Sequence, residues 1–206
     1  MDLLKKKINY SGIFEEVLHI RGDQNKLKAL DFGCGVARHA ILIEEFGIEC
    51  YGVDISKEAI SKGKINAKKL GFDQVAKRLS VIQEKKLYFE DNFFDFSIAE
   101  SSLDSMTFEN AKIFFEELCR VTNRYIHLTL IASESSGDPN FTNDIIVKSE
   151  HEHGTVQSYY DLKKIKLLLG EGLYNKIIFN RKITEVSLID SFTHARFHLV
   201  IDLKKK

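Results

Sequence analysis

The sequence predicts an α/β protein: a doubly wound, mostly parallel sheet of seven strands, closed by an antiparallel C-terminal hairpin strand. Three observations predict it. Short β-rich runs alternate with segments of helical spacing between residues 27 and 132. Glycines stand where those segments should stop, at Gly47, Gly71 and Gly170. The chain then closes on two β-rich runs separated by DSFTHA, which reads as a hairpin connection.

Each element follows from local chemistry. Residues 27–32 form the first expected strand, closed by GCG. A helix over 36–46 ends at Gly47, and 49–53 is a second short strand closed by Asp54. Ser56 is placed to cap a helix running to about Leu70, with Gly71 as its stop. Strands are expected at 79–82 and 94–99, with no clear helical pattern between them. Ile113, Phe114, Leu118 and Val121 make the apolar stripe of a helix over 108–121, and 124–132 reads as strand five. Residues 133–157 are polar and turn-rich, after which Ser158 opens a helix to about Leu169. The runs 177–189 and 197–203 supply the hairpin.

Composition narrows the function. With 206 residues the chain suits one domain with a real core. Thirty basic and thirty acidic side chains cancel to a formal charge of zero. A basic field for nucleic acid is absent, and the terminal lysine runs, lacking aromatics, read as solvated tails. No apolar run approaches bilayer length, so no membrane association is expected. Cys34, Cys50 and Cys119 are odd in number and lack CxxC spacing. That excludes a disulfide framework or zinc knuckle and fits a reducing cytoplasm.

The chemistry centres on LDFGCGVAR, which follows a strand and opens a helix. Gly33 and Gly35 lack side chains, so a ligand can lie against backbone N–H groups there. Asp31 precedes Gly33 by two residues, where a carboxylate would repel a phosphate and attract a cation. Nineteen residues after Gly35 comes Asp54, where an acid accepts hydrogen bonds from ribose hydroxyls. Together the two acids imply a nucleoside carrying a positively charged amino acid. NAD(P) is disfavoured by Asp31 and by Arg38, which stands where the third glycine of GxGxxG would be.

LDFGCGVARHA at 30–40, YGVDIS at 51–56 and LYFEDNFFDFSIAESSLDSM at 87–106 resemble the class I S-adenosylmethionine-dependent methyltransferases, a Rossmann-like family. The resemblance spans about residues 27–132 and implies S-adenosyl-L-methionine as cofactor. By it, Asp31, Gly33 and Gly35 contact the methionine part, Asp54 the ribose and Ile55 the adenine face. Gln83 stands where the family often has an adenine-contacting Asp, and its amide oxygen can take that role. Glu100, in the strand-four segment, is assigned to the cofactor as well. Ala37 replaces the family's third glycine. The implied organisation is an N-terminal cap (1–26), a cofactor-binding core (27–132), a substrate-side insert (133–157) and a C-terminal helix with hairpin (158–206).

The acceptor is less legible. IAESSLDS follows strand four where an NPPY-type segment would mark adenine or glutamine amide methylation, and no clustered acids suggest a metal. Little sequence lies outside the core, which points to a small-molecule acceptor methylated at O or N. His151 and His153 alternate, so on an extended segment both face one side, and either suits proton removal from the acceptor. Exposed loop histidines are the competing reading. Asp104 and Tyr159 are candidate acceptor contacts, and Tyr10 resembles the family's aromatic N-terminal lid. A noncatalytic S-adenosylmethionine-binding protein, or an NAD(P)-binding oxidoreductase, are the alternatives.

Overall fold

A computed structural model describes residues 27–148, 154–187 and 193–206. Among these, seven strands form one mixed sheet, and two short ones form a separate antiparallel pair. The chain divides into two compact units, one ending at Val81 and one beginning at Ile82.

In the first unit, β1 (Lys28–Phe32), β2 (Glu49–Asp54) and β3 (Leu79–Val81) pair in parallel in the order β3-β2-β1. Their connections are α1 (Arg38–Glu45), α2 (Lys57–Lys69) and a short α3 (Asp73–Arg78). Ser56 caps α2 as expected, its hydroxyl accepting from Ala59 N–H at 3.1 Å. Helix α3 is an element the sequence pattern did not announce. Arg78 at its end donates to Glu44 Oε1 at 2.7 Å and to Cys50 O at 3.0 Å, tying α3 to α1 and β2. Gly52 is required by close packing: a Cβ there would lie 2.5 Å from Leu79 Cδ2 and 2.9 Å from Cys34 Sγ.

In the second unit, β4 (Phe94–Glu100) and β5 (Thr122–Ile131) are parallel. β9 (Thr193–Asp202) runs antiparallel to β5, and β8 (Ile177–Val186) forms the edge antiparallel to β9. Helix α4 (Phe108–Val121) buries Ala111, Phe114, Phe115, Leu118 and Val121 and runs directly into β5. The stretch 82–93, where no helical pattern was found, has none. Arg120 of α4 secures its backbone instead, donating to Phe89 O and Leu87 O at 2.8 Å each, while Glu117 Oε2 accepts Leu87 N–H at 2.7 Å.

Two expectations need correction. Ser158 does not open the last helix: it ends β7 (Val156–Ser158), which pairs with β6 (Asp144–Ile146) inside the polar 133–157 segment. Helix α5 (Leu162–Tyr174) is capped by Asp161, whose Oδ1 accepts Lys164 N–H at 2.7 Å. It kinks at Gly170, the expected stop, where φ is 70°. Lys164 is the centre of this corner. Its ammonium donates to Thr142 O (2.5 Å), Ser158 Oγ (2.8 Å) and Asp144 Oδ1 (3.1 Å), and Asp144 Oδ2 accepts Phe108 N–H at 2.8 Å. One lysine thus fastens β6 and β7 to α4 and α5.

Candidate cofactor and acceptor sites

The glycine loop is built from the end of β1 outward. Gly33 N–H and Cys34 N–H both donate to Val53 O, at 2.8 and 3.0 Å, so the loop is moored to β2. Gly33 and Gly35 have φ of 72° and 52°, and Ala37 also sits left-handed at 66°. Only glycine enters that region without steric cost, which is why two of these three positions are glycine. A Cβ on Gly35 would meet no atom of the described residues beyond its chain neighbours within 4 Å, so the space beside it is open among them.

Asp54 organises the loop from β2. Its Oδ2 accepts Gly35 N–H at 2.8 Å and its Oδ1 accepts Ser56 N–H at 2.8 Å, leaving each oxygen a second lone pair. Beside it, Ile55 is 71% exposed, an apolar side chain at the surface. Asp31 is placed differently from a ligand-facing carboxylate. It is fully buried, and its Oδ2 accepts Ala40 N–H at 3.0 Å. Ala37 gives α1 no side-chain cap, so Asp31 supplies that negative charge from β1 instead. Cys34 is inert: burial, then the Asp31 and Asp54 carboxylates, push its thiol far above the usual range.

The remaining predicted residues lie in the second unit. Gln83 is exposed in the loop after β3. Glu100 ends β4, with burial raising its carboxyl above the ordinary range against the opposing pull of Thr129 and Arg196. Ser101, next in sequence, is held at φ 52° by its N–H bond to Thr129 Oγ1 at 2.8 Å. Asp104 is only 1% exposed, so it faces the interior rather than an open acceptor surface. Its Oδ2 accepts Ile131 N–H at 2.7 Å and Arg196 Nη1–H at 3.0 Å, and its backbone oxygen accepts from Ser158 and Gln157, both at 2.8 Å. Tyr159 is half-buried, its ring edge-on to Phe141 at 5.6 Å, and Tyr160 is core. Tyr10, His151 and His153 lie outside the described residues. No group of metal-binding side chains occurs among the described residues.

A structural role for Arg196 was missed by the sequence reading. It is nonetheless written in THARFHLVI, where His194, Arg196 and His198 alternate with the buried Ala195, Phe197 and Leu199.

The order of the strands, the glycine loop at the end of β1 and the acid at the end of β2 define a class I methyltransferase fold. A family model described as a methyltransferase domain matches residues 23–164, and the chain belongs to that family. No curated protein matches it. Among solved structures, a SAM-dependent methyltransferase from Methanosarcina mazei is similar over 90% of this chain and 96% of its own, at 18% identity and a TM-score of 0.70. An S-adenosylmethionine-dependent methyltransferase from Clostridium acetobutylicum is similar over 98% of this chain and 95% of its own, at 13% identity and a TM-score of 0.65. Magnesium protoporphyrin IX methyltransferase from Synechocystis, solved with bound SAH, is similar over 90% and 78%, at 17% identity and a TM-score of 0.59.

Proposed function

We propose that this chain transfers a methyl group from S-adenosyl-L-methionine to a small-molecule acceptor, at oxygen or nitrogen. The observation that carries this reading is Asp54, which bridges Gly35 N–H and Ser56 N–H and retains lone pairs for a ribose diol. The residues fit the cofactor. Gly35 leaves room against the backbone, and exposed Ile55 offers an apolar face to adenine. Gln83 accepts from the adenine amino group. Asp31 acts from beneath the loop, holding the helix N-terminus that faces the methionine part. Glu100 takes the cofactor's ammonium, whose positive charge offsets the burial that otherwise favours the protonated acid.

When bound, the cofactor supplies an activated methyl group on a sulfonium, so the protein's task is mainly alignment and exclusion of water. His151 or His153 removes the acceptor's proton, and Tyr10, Asp104 and Tyr159 shape the acceptor side, Asp104 by fixing the loop after β4. The protein works in the cytoplasm without nucleic acid. Buried free thiols at Cys34 and Cys50 suit a reducing compartment, and no helix among the described residues is long and apolar enough to cross a membrane.

Calorimetric titration with S-adenosylmethionine, S-adenosylhomocysteine and NAD tests the reading. Binding of the first two and not of NAD is expected; binding of NAD alone overturns it. Methyl transfer to a panel of small hydroxyl and amine acceptors then separates an enzyme from a protein that only holds the cofactor.

A further inference from the structure

One face of the second unit's sheet carries a line of polar side chains set among buried apolar neighbours, Ile98, Ile131 and Val200. On β9, Ala195, Phe197, Leu199 and Ile201 are buried, while His194, Arg196 and His198 are half-exposed on the other side. The register extends that polar line across four strands. Glu100 of β4 lies opposite Thr129 of β5, Thr129 opposite His198 of β9, and His198 opposite Arg181 of β8. One continuous row therefore runs Glu100, Thr129, His198, Arg181. Arg196 stands two residues from His198 on the same face, diagonal to Arg181.

Arg196 is pinned rather than free. Its Nη1 donates to Ser101 Oγ at 2.7 Å and to Asp104 Oδ2 at 3.0 Å, and its Nε donates to His194 Nε2 at 2.9 Å. Nη2 takes no hydrogen bond among the described residues. Asp104, 1% exposed and with Oδ1 unpartnered, is the buried counter-charge that fixes the guanidinium plane. Arg181 is exposed and makes no ion pair among the described residues. His198 stands between the two, its ring 6.2 Å from that of His127. Burial, then Arg196 and Arg181, lower its affinity for a proton. The neighbourhood of His198 is thus short of negative charge, although Glu100 and Asp104 are both on its Arg196 side and Glu185 lies opposite His194.

We infer that Arg196, His198 and Arg181 form a carboxylate-binding subsite that reads the methyl acceptor. This rests on the methyltransferase reading above and names the substrate class for it: a small molecule bearing one carboxylate. Asp104 already balances the charge of Arg196, leaving Arg181's single charge unmatched, so a monoanion suits the site better than a phosphate dianion. The row also sets a length. Glu100 and His198 are two strand spacings apart, about 10 Å, so the carboxylate is held that far across the sheet from the carboxyl end of β4. Ligands of open α/β sheets gather at that end of the strands.

The test follows the His198 ring by NMR through a pH titration of the full chain, with added benzoate, acetate or inorganic phosphate. A bound carboxylate relieves the positive surroundings, so benzoate and acetate are expected to raise the His198 pKa, and phosphate to do so less. Arg181→Gln, at an exposed position without an ion pair among the described residues, should weaken the benzoate effect about tenfold and leave S-adenosylmethionine affinity unchanged. Arg196→Lys, which keeps the charge and loses the fork, should weaken it as well. A His198 titration unmoved by carboxylate at tens of millimolar, an Arg181→Gln variant that responds like wild type, or a stronger response to phosphate overturns the subsite. The two readings fail separately. Cofactor binding without a carboxylate response removes only the subsite, whereas a carboxylate response without cofactor binding overturns the methyl-transfer reading and leaves an anion site that reads no methyl acceptor.

Discussion

Asp54→Asn is isosteric and changes a single feature of the glycine loop. In the native chain, Asp54 accepts backbone N–H groups on both oxygens, from Gly35 and from Ser56, at 2.8 Å each. Asparagine has one acceptor oxygen. Whichever N–H keeps it, the other meets an NH2 group, donor against donor. Hydrogen bonds to a charged group contribute about 1.5–3 kcal/mol each, and Asp54 is partly exposed, so the folded chain should lose roughly 1–2 kcal/mol. Cofactor affinity should fall further than stability, because the ribose hydroxyls lose a charged acceptor and Gly35 loses its mooring. A drop of tenfold or more, about 1.4 kcal/mol, is expected. Urea unfolding gives the first quantity and calorimetry with S-adenosylmethionine the second. A variant with unchanged midpoint and unchanged affinity would refute the bridging role and, with it, the ribose assignment.

Three further outcomes are expected. Gly35→Ala and Gly47→Ala both place a Cβ in open space at positive φ, 52° and 79°, so each should cost about 1 kcal/mol of stability, while only Gly35→Ala reduces S-adenosylmethionine affinity; equal effects on binding would deny the loop its ligand role. Burial, and after it Arg38, holds His39 down at about 4 from an ordinary 6.5 although Asp31 Oδ1 is 4.0 Å away. The unfolded chain therefore takes this proton first, and stability complete above pH 6.5 drains as pH falls toward 4, by about 3 kcal/mol, a slope that His39→Gln should flatten in denaturant midpoints measured across that window. Lys164→Met removes three hydrogen bonds, so unfolding should cost about 2 kcal/mol less and amide exchange should quicken in β6 and β7; unaltered exchange there would deny the lysine its fastening role.

Which parts were legible in the sequence follows from where the determining interactions lie. Helix α4 is legible to the residue because its apolar stripe is local; its cap, Thr107 Oγ1 accepting Asn110 N–H at 3.3 Å, is seen only in the structure. The acid at the end of β2 was legible for the same reason. Ser158 and Asp161 are both plausible caps for α5, and the choice between them is made by β7 pairing with β6, 10 to 14 residues upstream. The short α3 is secured by Arg78 reaching Glu44, 34 residues away, a partner no local pattern reveals. Asp31 shows the same limit from the functional side. Its position in the motif is readable, but that its carboxylate is spent on Ala40 N–H depends on how α1 starts.

The two acids of the cofactor motif therefore act at different ranges. Asp54 stands partly exposed and offers its remaining lone pairs directly, whereas Asp31 is buried and works through the helix it caps. A negative charge beneath a helix N-terminus stabilises the start of α1 and offsets part of the positive end of its dipole. That weakens the loop as a phosphate trap while keeping its backbone geometry. On the proposed function, this turns the glycine loop away from a dinucleotide's pyrophosphate and toward a ligand whose corresponding group carries positive charge. The proposed function assigns specificity to the charge under the loop, and Asp31→Asn, which keeps the oxygen facing Ala40 N–H, would separate that charge from the cap it provides.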